Sequence, residues 1–379
     1  MEDATALMKA FDVVVVGAGP AGLAASIEAA KRGCGVLLVD SNLKPGGQLI
    51  KQIHKFFGSR EHRAGVRGID IARDLYDEAV KAGVTVWLDT SVYGIFDGGV
   101  LGMARGVLER KPSGLGVRAT RIILATGASE NAVNFPGWTM PGVMGAGAAQ
   151  TMINVERVLP GRRVLMIGSG NVGLIVSYQL MQAGAEVVAL VEGLPRVGGY
   201  GVHAAKISRA GVPILISHTV SRVLGEKEVE GAEIVGIDRS WQPVPGTSRQ
   251  LDVDTVCIAT GLRPYAKLAM MAGCRMVHSP VLGGWIPFHD RRSRTSVAGI
   301  YVAGDVGGVE EASTAMEEGH LAGLSVAEDL NRVSPAEAAR EREISEARLA
   351  SLRMGPFGKP RQDAKEAVHR AGESSCLAV

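Results

Sequence analysis

Phe11-Asp-Val-Val-Val-Val-Gly17-Ala18-Gly19-Pro20-Ala21-Gly22 decides the reading of this chain. Phe11 to Val16 is an apolar, Val-rich run with the length of a fully buried strand. The Gly-rich turn follows at once, then Leu23 to Arg32 in small, helix-forming residues that end at Gly33. Gly35 to Asp40 is a second buried strand, closed by an acid 18 residues after Gly22.

Each part of this unit has a physical task. Gly17 permits the tight turn, Gly19 lets backbone approach a pyrophosphate, and Gly22 lets helix and strand pack closely. The helix start at Pro20 and Ala21 offers N–H groups and a positive dipole end to phosphates. Asp40 can accept from ribose hydroxyls. A lone GxGxxG says little, but one set between strand and helix, with an acid at the right offset, points to a dinucleotide.

The unit recurs about 150 residues later. Arg163 to Ile167 is a strand, Gly168-Ser169-Gly170-Asn171-Val172-Gly173 the turn, and a helix runs to Ala183 before Gly184. Glu186 to Glu192 is the next strand, and Glu192 lies 19 residues after Gly173. A carboxylate there repels a 2′-phosphate and accepts from a 2′-hydroxyl, which favours NAD over NADP, although Arg196 stands near enough in sequence to serve a phosphate. A second unit that keeps the fold and binds nothing stays open.

Two strand-to-glycine turns also repeat: Arg121 to Leu124 before Ala125-Thr126-Gly127, and Val256 to Ile258 before Ala259-Thr260-Gly261. Gly299 to Ala303 then leads into Gly304-Asp305 and a helical stretch from Glu310 to Gly323. The layout predicted is discontinuous. Residues 1–135 and 280–332 form one nucleotide domain, 136–279 a second inserted in it, and 333–379 a C-terminal helix and loose tail. Gly/Pro-rich segments at Pro136–Gly142 and Gly283–Pro287 read as the crossovers.

Bulk properties set the limits. The 379 residues carry a net charge of +2, which gives no global field for nucleic acid. No apolar run reaches the roughly 18 residues of a membrane span, and Met1–Ala10 has no leader pattern, so a cytoplasmic location is expected. Cys34, Cys257, Cys274 and Cys376 are scattered without metal-ligand or CxxC spacing, so no metal site is expected.

The order GxGPAG, Gly46-Gly47-Gln48, ATG, GxGxxG, ATG, Gly304-Asp305 resembles the two-dinucleotide-domain flavoproteins that include thioredoxin reductase. Phe135–Val143 with Ala146–Gln150, and Gly304-Asp305-Val306 with Glu310–Ala315, resemble the FAD/NAD subunit of heteromeric amine dehydrogenases and oxidases of the sarcosine, proline, hydroxyproline and opine type. The likeness spans about residues 10–330. It implies an α/β chain with two Rossmann-like domains, the NAD domain inserted into the FAD domain. It also implies FAD on Gly17, Gly19, Pro20, Ala21, Gly22, Asp40, Ser41, Gly47, Gln48, Ala125, Thr126, Gly127, Gly304 and Asp305. Val92, on the strand after the Asp70–Ala82 helix, would meet the adenine, and the helix starting near Ala312 would face the flavin. NAD would lie on Gly168, Gly170, Asn171, Val172, Gly173 and Glu192.

The resemblance has departures. No CxxC is present, which excludes dithiol chemistry, and any iron–sulfur cluster must sit on another chain. The implied partners are a small iron–sulfur protein, a flavin-containing catalytic subunit, or both. Hydride transfer needs alignment more than acid–base help, so no catalytic side chain is assigned. Lys51 and His54 follow the Gly-Gly-Gln turn, and the basic stretch Lys51–Arg67 reads equally as a flavin cover, a partner surface or a solvated loop. Three functions compete: an NAD(H)–FAD relay subunit of an amine or imino-acid dehydrogenase, a stand-alone reductase of a small redox protein such as ferredoxin, and a non-catalytic nucleotide-binding scaffold.

Overall fold

The computed structural model describes residues 8–56 and 59–373. Most of Met1–Ala10, together with Cys376, lies outside them. The chain divides into two compact units, Met1–Ser129 with Arg263–Val379, and Glu130–Leu262.

In the first unit the parallel strands run Thr85–Trp87, Val36–Val39, Lys9–Val16 and Ser113–Leu124, with Ile300–Val302 also paired to the last. Val13, Val14 and Val15 are fully buried because helices and a meander cover both faces of the sheet, which explains their unbroken apolar run. The long strand Ser113–Leu124 continues at its N-terminal half into an antiparallel meander with Val100–Arg105 and Thr90–Phe96.

One face of the sheet carries helix Pro20–Lys31, packed on helix Ala312–Asp329. Glycines face backbone at that contact: a Cβ on Gly319 would stand 2.3 Å from Ala21 O, and one on Gly323 2.6 Å from Ala25 O. The two helices approach more closely than side chains of ordinary size permit.

The second unit has a five-stranded parallel sheet in the order Ile214–Ile216, Glu186–Glu192, Arg163–Ile167, Thr255–Ile258, Val143–Gly145. Helices Ala146–Thr151, Asn171–Gln182 and Gly201–Arg209 cover one face. The antiparallel ribbon His218–Leu224, Gly231–Gly236, Arg249–Leu251 covers the other.

Three sequence expectations are corrected. The chain leaves the first unit at Ser129 and returns at Arg263, just past each Ala-Thr-Gly turn, instead of at 135 and 280. Residues 263–279 belong to the first unit because Ala266, Leu268, Ala269 and Cys274 bury into its core. Neither Gly/Pro segment is a crossover. Gly284–Pro287 is a strand paired with Met276–Ser279 in the first unit, and Pro136 O accepts from Val223 N inside the second.

The second correction concerns Val92. It lies one strand beyond the strand that follows the helix, on Thr90–Phe96, opposite Met103. Thr85–Trp87 intervenes, a strand too short to give a pattern in the sequence. The third concerns the tail. After helix Pro335–Leu352 a further helix, Gly355–Glu373, replaces the expected loose end, with Pro360 inside it. Lys365, 1% exposed, and Val368, buried against Leu282 and Ile286, are among the side chains that tie it down.

Candidate functional site: two glycine-rich loops built alike

The two Gly-rich loops are built by the same hydrogen bonds. Gly17 N donates to Val39 O and Gly168 N to Val191 O, both at 2.8 Å, which ties each turn to the neighbouring strand end. Ala125 N donates to Val16 O at 2.8 Å, and Ala259 N to Ile167 O at 2.7 Å. The Ala-Thr-Gly turns therefore stand against the loops they follow in chain order. Thr126 Oγ1 and Gly127 O bond the backbone of Tyr265, which holds the first of these turns in place.

Close approach fixes the residue type. A Cβ on Gly17 would sit 2.3 Å from Ala125 O, and one on Gly22 1.7 Å from Gly17 O; at Gly168 and Gly173 the distances are 2.4 Å to Ala259 O and 2.1 Å to Gly168 O. No side chain is small enough for these positions.

The middle glycines differ from these. A Cβ on Gly19 would meet only Gly47 Cα, at 4.0 Å, and one on Gly170 would meet nothing within 4 Å. Neither helix start, Pro20–Ala21 nor Asn171–Val172, is capped by a side chain. Each loop thus leaves room beside a helix N-terminus, as a pyrophosphate needs. Helix Ala312–Asp329 also begins without a side-chain cap hydrogen bond, after Glu311. The residues fit the groups the sequence implied: FAD at the first loop and a nicotinamide dinucleotide at the second.

The acids that end the second strands are held in place. Asp40, 8% exposed, accepts from Ala18 N at 2.6 Å and from Asn42 N and Nδ2 at 2.8 Å. Glu192 accepts from Ser169 N at 2.9 Å, Ser169 Oγ at 2.6 Å and Leu194 N at 2.9 Å. Arg196 is exposed.

The structure adds a parallel that the sequence reading missed. Gly46-Gly47 begins six residues after Asp40, and Gly198-Gly199 six after Glu192. Gly46 N donates to Ala18 O at 2.7 Å, and Gly199 N to Ser169 O at 2.8 Å. Gly198 N also donates to Ser169 Oγ, and Tyr200 N to Asn171 Oδ1. Each loop therefore has a second glycine wall. A comparison of offsets within the sequence would have found it.

Gly47 and Gln48 open a short 3-10 turn, Gly47–Lys51, with Gln48 and Ser41 exposed. His54 stacks on Phe56. In the stretch that follows, Arg63 pairs with Asp74 and Glu78 and buried His62 contacts Glu317 at 3.0 Å, while Arg60, Glu61 and Arg67 are exposed.

Gly304-Asp305 forms a turn against the first loop. Asp305 accepts from Glu310 N at 3.2 Å, and a Cβ on Gly304 would sit 2.7 Å from Ala21 Cβ. Burial pushes the Asp305 carboxyl up to about 7, and the nearby Glu318 and Glu310 add to it against the Glu310 N–H. Glu318 goes the other way: burial raises it, but Lys365 and Arg353 outweigh burial and take it down to about 2.

Among the described residues no cluster of three or more His, Cys, Asp or Glu could hold a metal, and no helix is long and apolar enough to cross a membrane. Cys34, Cys257 and Cys274 are buried and unpaired with one another.

Comparison with known proteins agrees with this geometry. The family model described as pyridine nucleotide-disulphide oxidoreductase matches residues 11–319. An opine oxidase subunit of Agrobacterium tumefaciens (strain Ach5) is 31% identical over 353 residues, 87% of this chain and 68% of that protein. The alpha subunit of sarcosine oxidase from Rhizobium meliloti (strain 1021) is 30% identical over 334 residues, 86% of this chain but only 31% of that much longer protein. In fold, the chain matches the crystal structure of T. acidophilum thioredoxin reductase with a TM-score of 0.69 at 23% identity, over 85% of this chain and 99% of that one.

Proposed function

This chain belongs to the pyridine nucleotide-disulphide oxidoreductase family and is an FAD-dependent oxidoreductase, and from that premise we propose that it passes hydride between NAD(H) and FAD as the relay subunit of a heteromeric amine or imino-acid dehydrogenase. The amine, of the proline, hydroxyproline, sarcosine or opine type, is oxidised on a partner chain that carries its own flavin, and a small iron–sulfur protein is a further partner.

The observation that carries the nucleotide assignment is Glu192. Both its oxygens are anchored to backbone and to Ser169, so the carboxylate stands fixed at the end of its strand. A fixed anion there accepts from a ribose 2′-hydroxyl and repels a 2′-phosphate, which supports NAD over NADP. Arg196, by contrast, is exposed.

Bound FAD supplies two-electron chemistry that no side chain offers. The chain's residues bind and align: Gly17, Gly19, Gly22 and Asp40 for the pyrophosphate and ribose of FAD, Gly47, Gln48, Thr126, Gly127 and Asp305 along its length, and the Ala312 helix start toward the flavin. Gly168, Gly170, Gly173 and Glu192 hold the NAD. The relay role, with amine oxidation elsewhere, is supported by the relatives' names, which are those of oxidase subunits.

The reading is tested by steady-state assay of the purified chain with an artificial dye as acceptor. NADH should reduce the dye, and proline, hydroxyproline, sarcosine and opines should not. Amine oxidation by the chain alone overturns the relay assignment.

A further inference from the structure

The last two helices and the cap residue between them follow every motif of the nucleotide fold, yet they send two cations into the interior of the first unit. Lys365 is 1% exposed and Arg353 5%. A buried ammonium is retained only where partners offset its lost hydration. Lys365 Nζ donates to Glu318 Oε1 at 2.7 Å. Arg353 donates to the same oxygen at 2.6 Å and to Glu310 Oε2 at 2.8 Å. The other oxygen of Glu318 accepts from Gly304 N at 3.0 Å.

A continuous chain of contacts therefore runs from the last helix to the turn that packs on Ala21 of the first nucleotide loop. The lysine stem lies along the same turn. A Cβ on Gly308 would be 3.1 Å from Lys365 Cε, and one on Gly307 3.6 Å from Lys365 Nζ. Glu310, held by Arg353, supplies the N–H that Asp305 accepts. Both cations thus reach the Gly304–Gly308 turn through the Glu318 carboxylate, to which Gly304 N donates, and Arg353 also holds Glu310, whose backbone N–H donates to Asp305.

We propose that Lys365 is a positioning residue of the flavin site, which through Glu318 fixes the Gly304–Asp305 turn and places a buried positive charge behind it. The inference rests on the FAD site assigned above. Without Lys365, Glu318 keeps only Arg353 as a cation and is free to turn from Gly304 N. FAD then binds a looser turn, and the flavin loses a cation that favours its reduction.

The full chain is prepared as wild type, Lys365→Met and Glu318→Gln, with Lys359→Met as a control from the exposed side of the same helix. The dissociation constant for FAD is read on reconstituting apoprotein, and the midpoint potential of the bound flavin by spectroelectrochemistry. Lys365→Met should weaken FAD binding at least tenfold and move the potential negative, while Lys359→Met changes neither. Glu318→Gln removes the opposite charge and should move the potential positive, which keeps the test open if Lys365→Met does not fold. A folded Lys365→Met with wild-type affinity and potential overturns the inference and leaves the flavin reading intact. Wild-type protein that takes up no FAD overturns the flavin reading and this inference with it.

Discussion

Glu192 accepts from both the backbone and the hydroxyl of Ser169, as Asp40 accepts from the backbone of Ala18 in the other unit. Acid and loop are locked together in each case. The carboxylate proposed to read the ribose therefore cannot move without disturbing the Gly-rich turn beside it.

From this follows a specificity prediction. Glu192→Ala removes an ionised acceptor whose hydrogen bond is of order 1.5–3 kcal/mol, so kcat/KM for NADH should fall about tenfold or more. NADPH should lose far less, and the preference between the two should narrow or reverse. Steady-state assays with both nucleotides check this.

The glycines separate the two sites. Gly22→Ala forces a Cβ to within 1.7 Å of Gly17 O, and Gly173→Ala to within 2.1 Å of Gly168 O. Overpacking of this kind costs about 1–3 kcal/mol or more. Gly22→Ala should purify with little flavin, while Gly173→Ala should keep the flavin band and lose its response to NADH. Absorbance at the flavin band, before and after reductant, distinguishes them.

Asp305 ties stability to pH. Its folded carboxyl is raised to about 7 from an ordinary value of 3.8, so the folded apoprotein holds a proton that the unfolded chain has released. Stability from this group is present below about pH 4 and is lost as pH rises through 7. Buried His289, lowered by burial and Lys365 to about 4, acts in the opposite sense and loses stability on acidification below about 6.5. Asp305→Asn removes the first effect alone. Thermal unfolding of apoprotein at pH 4 to 8 should show the variant gaining on wild type as pH rises; parallel curves contradict the shift.

Cys34, Cys257 and Cys274 should show no thiol chemistry in the folded protein. Burial pushes Cys257 up to about 12, with Glu130 adding to it, and burial also raises Cys34 and Cys274. Alkylation of native protein followed by mass spectrometry should leave these three unmodified, and all three should label after unfolding.

Much of the site was legible because it is local. A strand, three glycines and an acid lie within about 30 residues, and steric need dictates each of them. What escaped the sequence is non-local. Residues 263–279 look like part of the second unit until Leu268 and Ala269 are seen buried in the first. Lys365 reads as an ordinary surface lysine in a Gly/Pro/Lys-rich end, because its carboxylate partner stands 47 residues away. Gly198-Gly199 was legible but unread, since only its offset from Glu192 marks it.

On the proposed function, one chain carries both nucleotides and moves hydride between them. The direct measurement is anaerobic: the visible spectrum of the purified protein is recorded, then NADH and, separately, NADPH are added. The account predicts a flavin band that NADH bleaches within seconds and NADPH bleaches far more slowly. A band that neither nucleotide bleaches contradicts it.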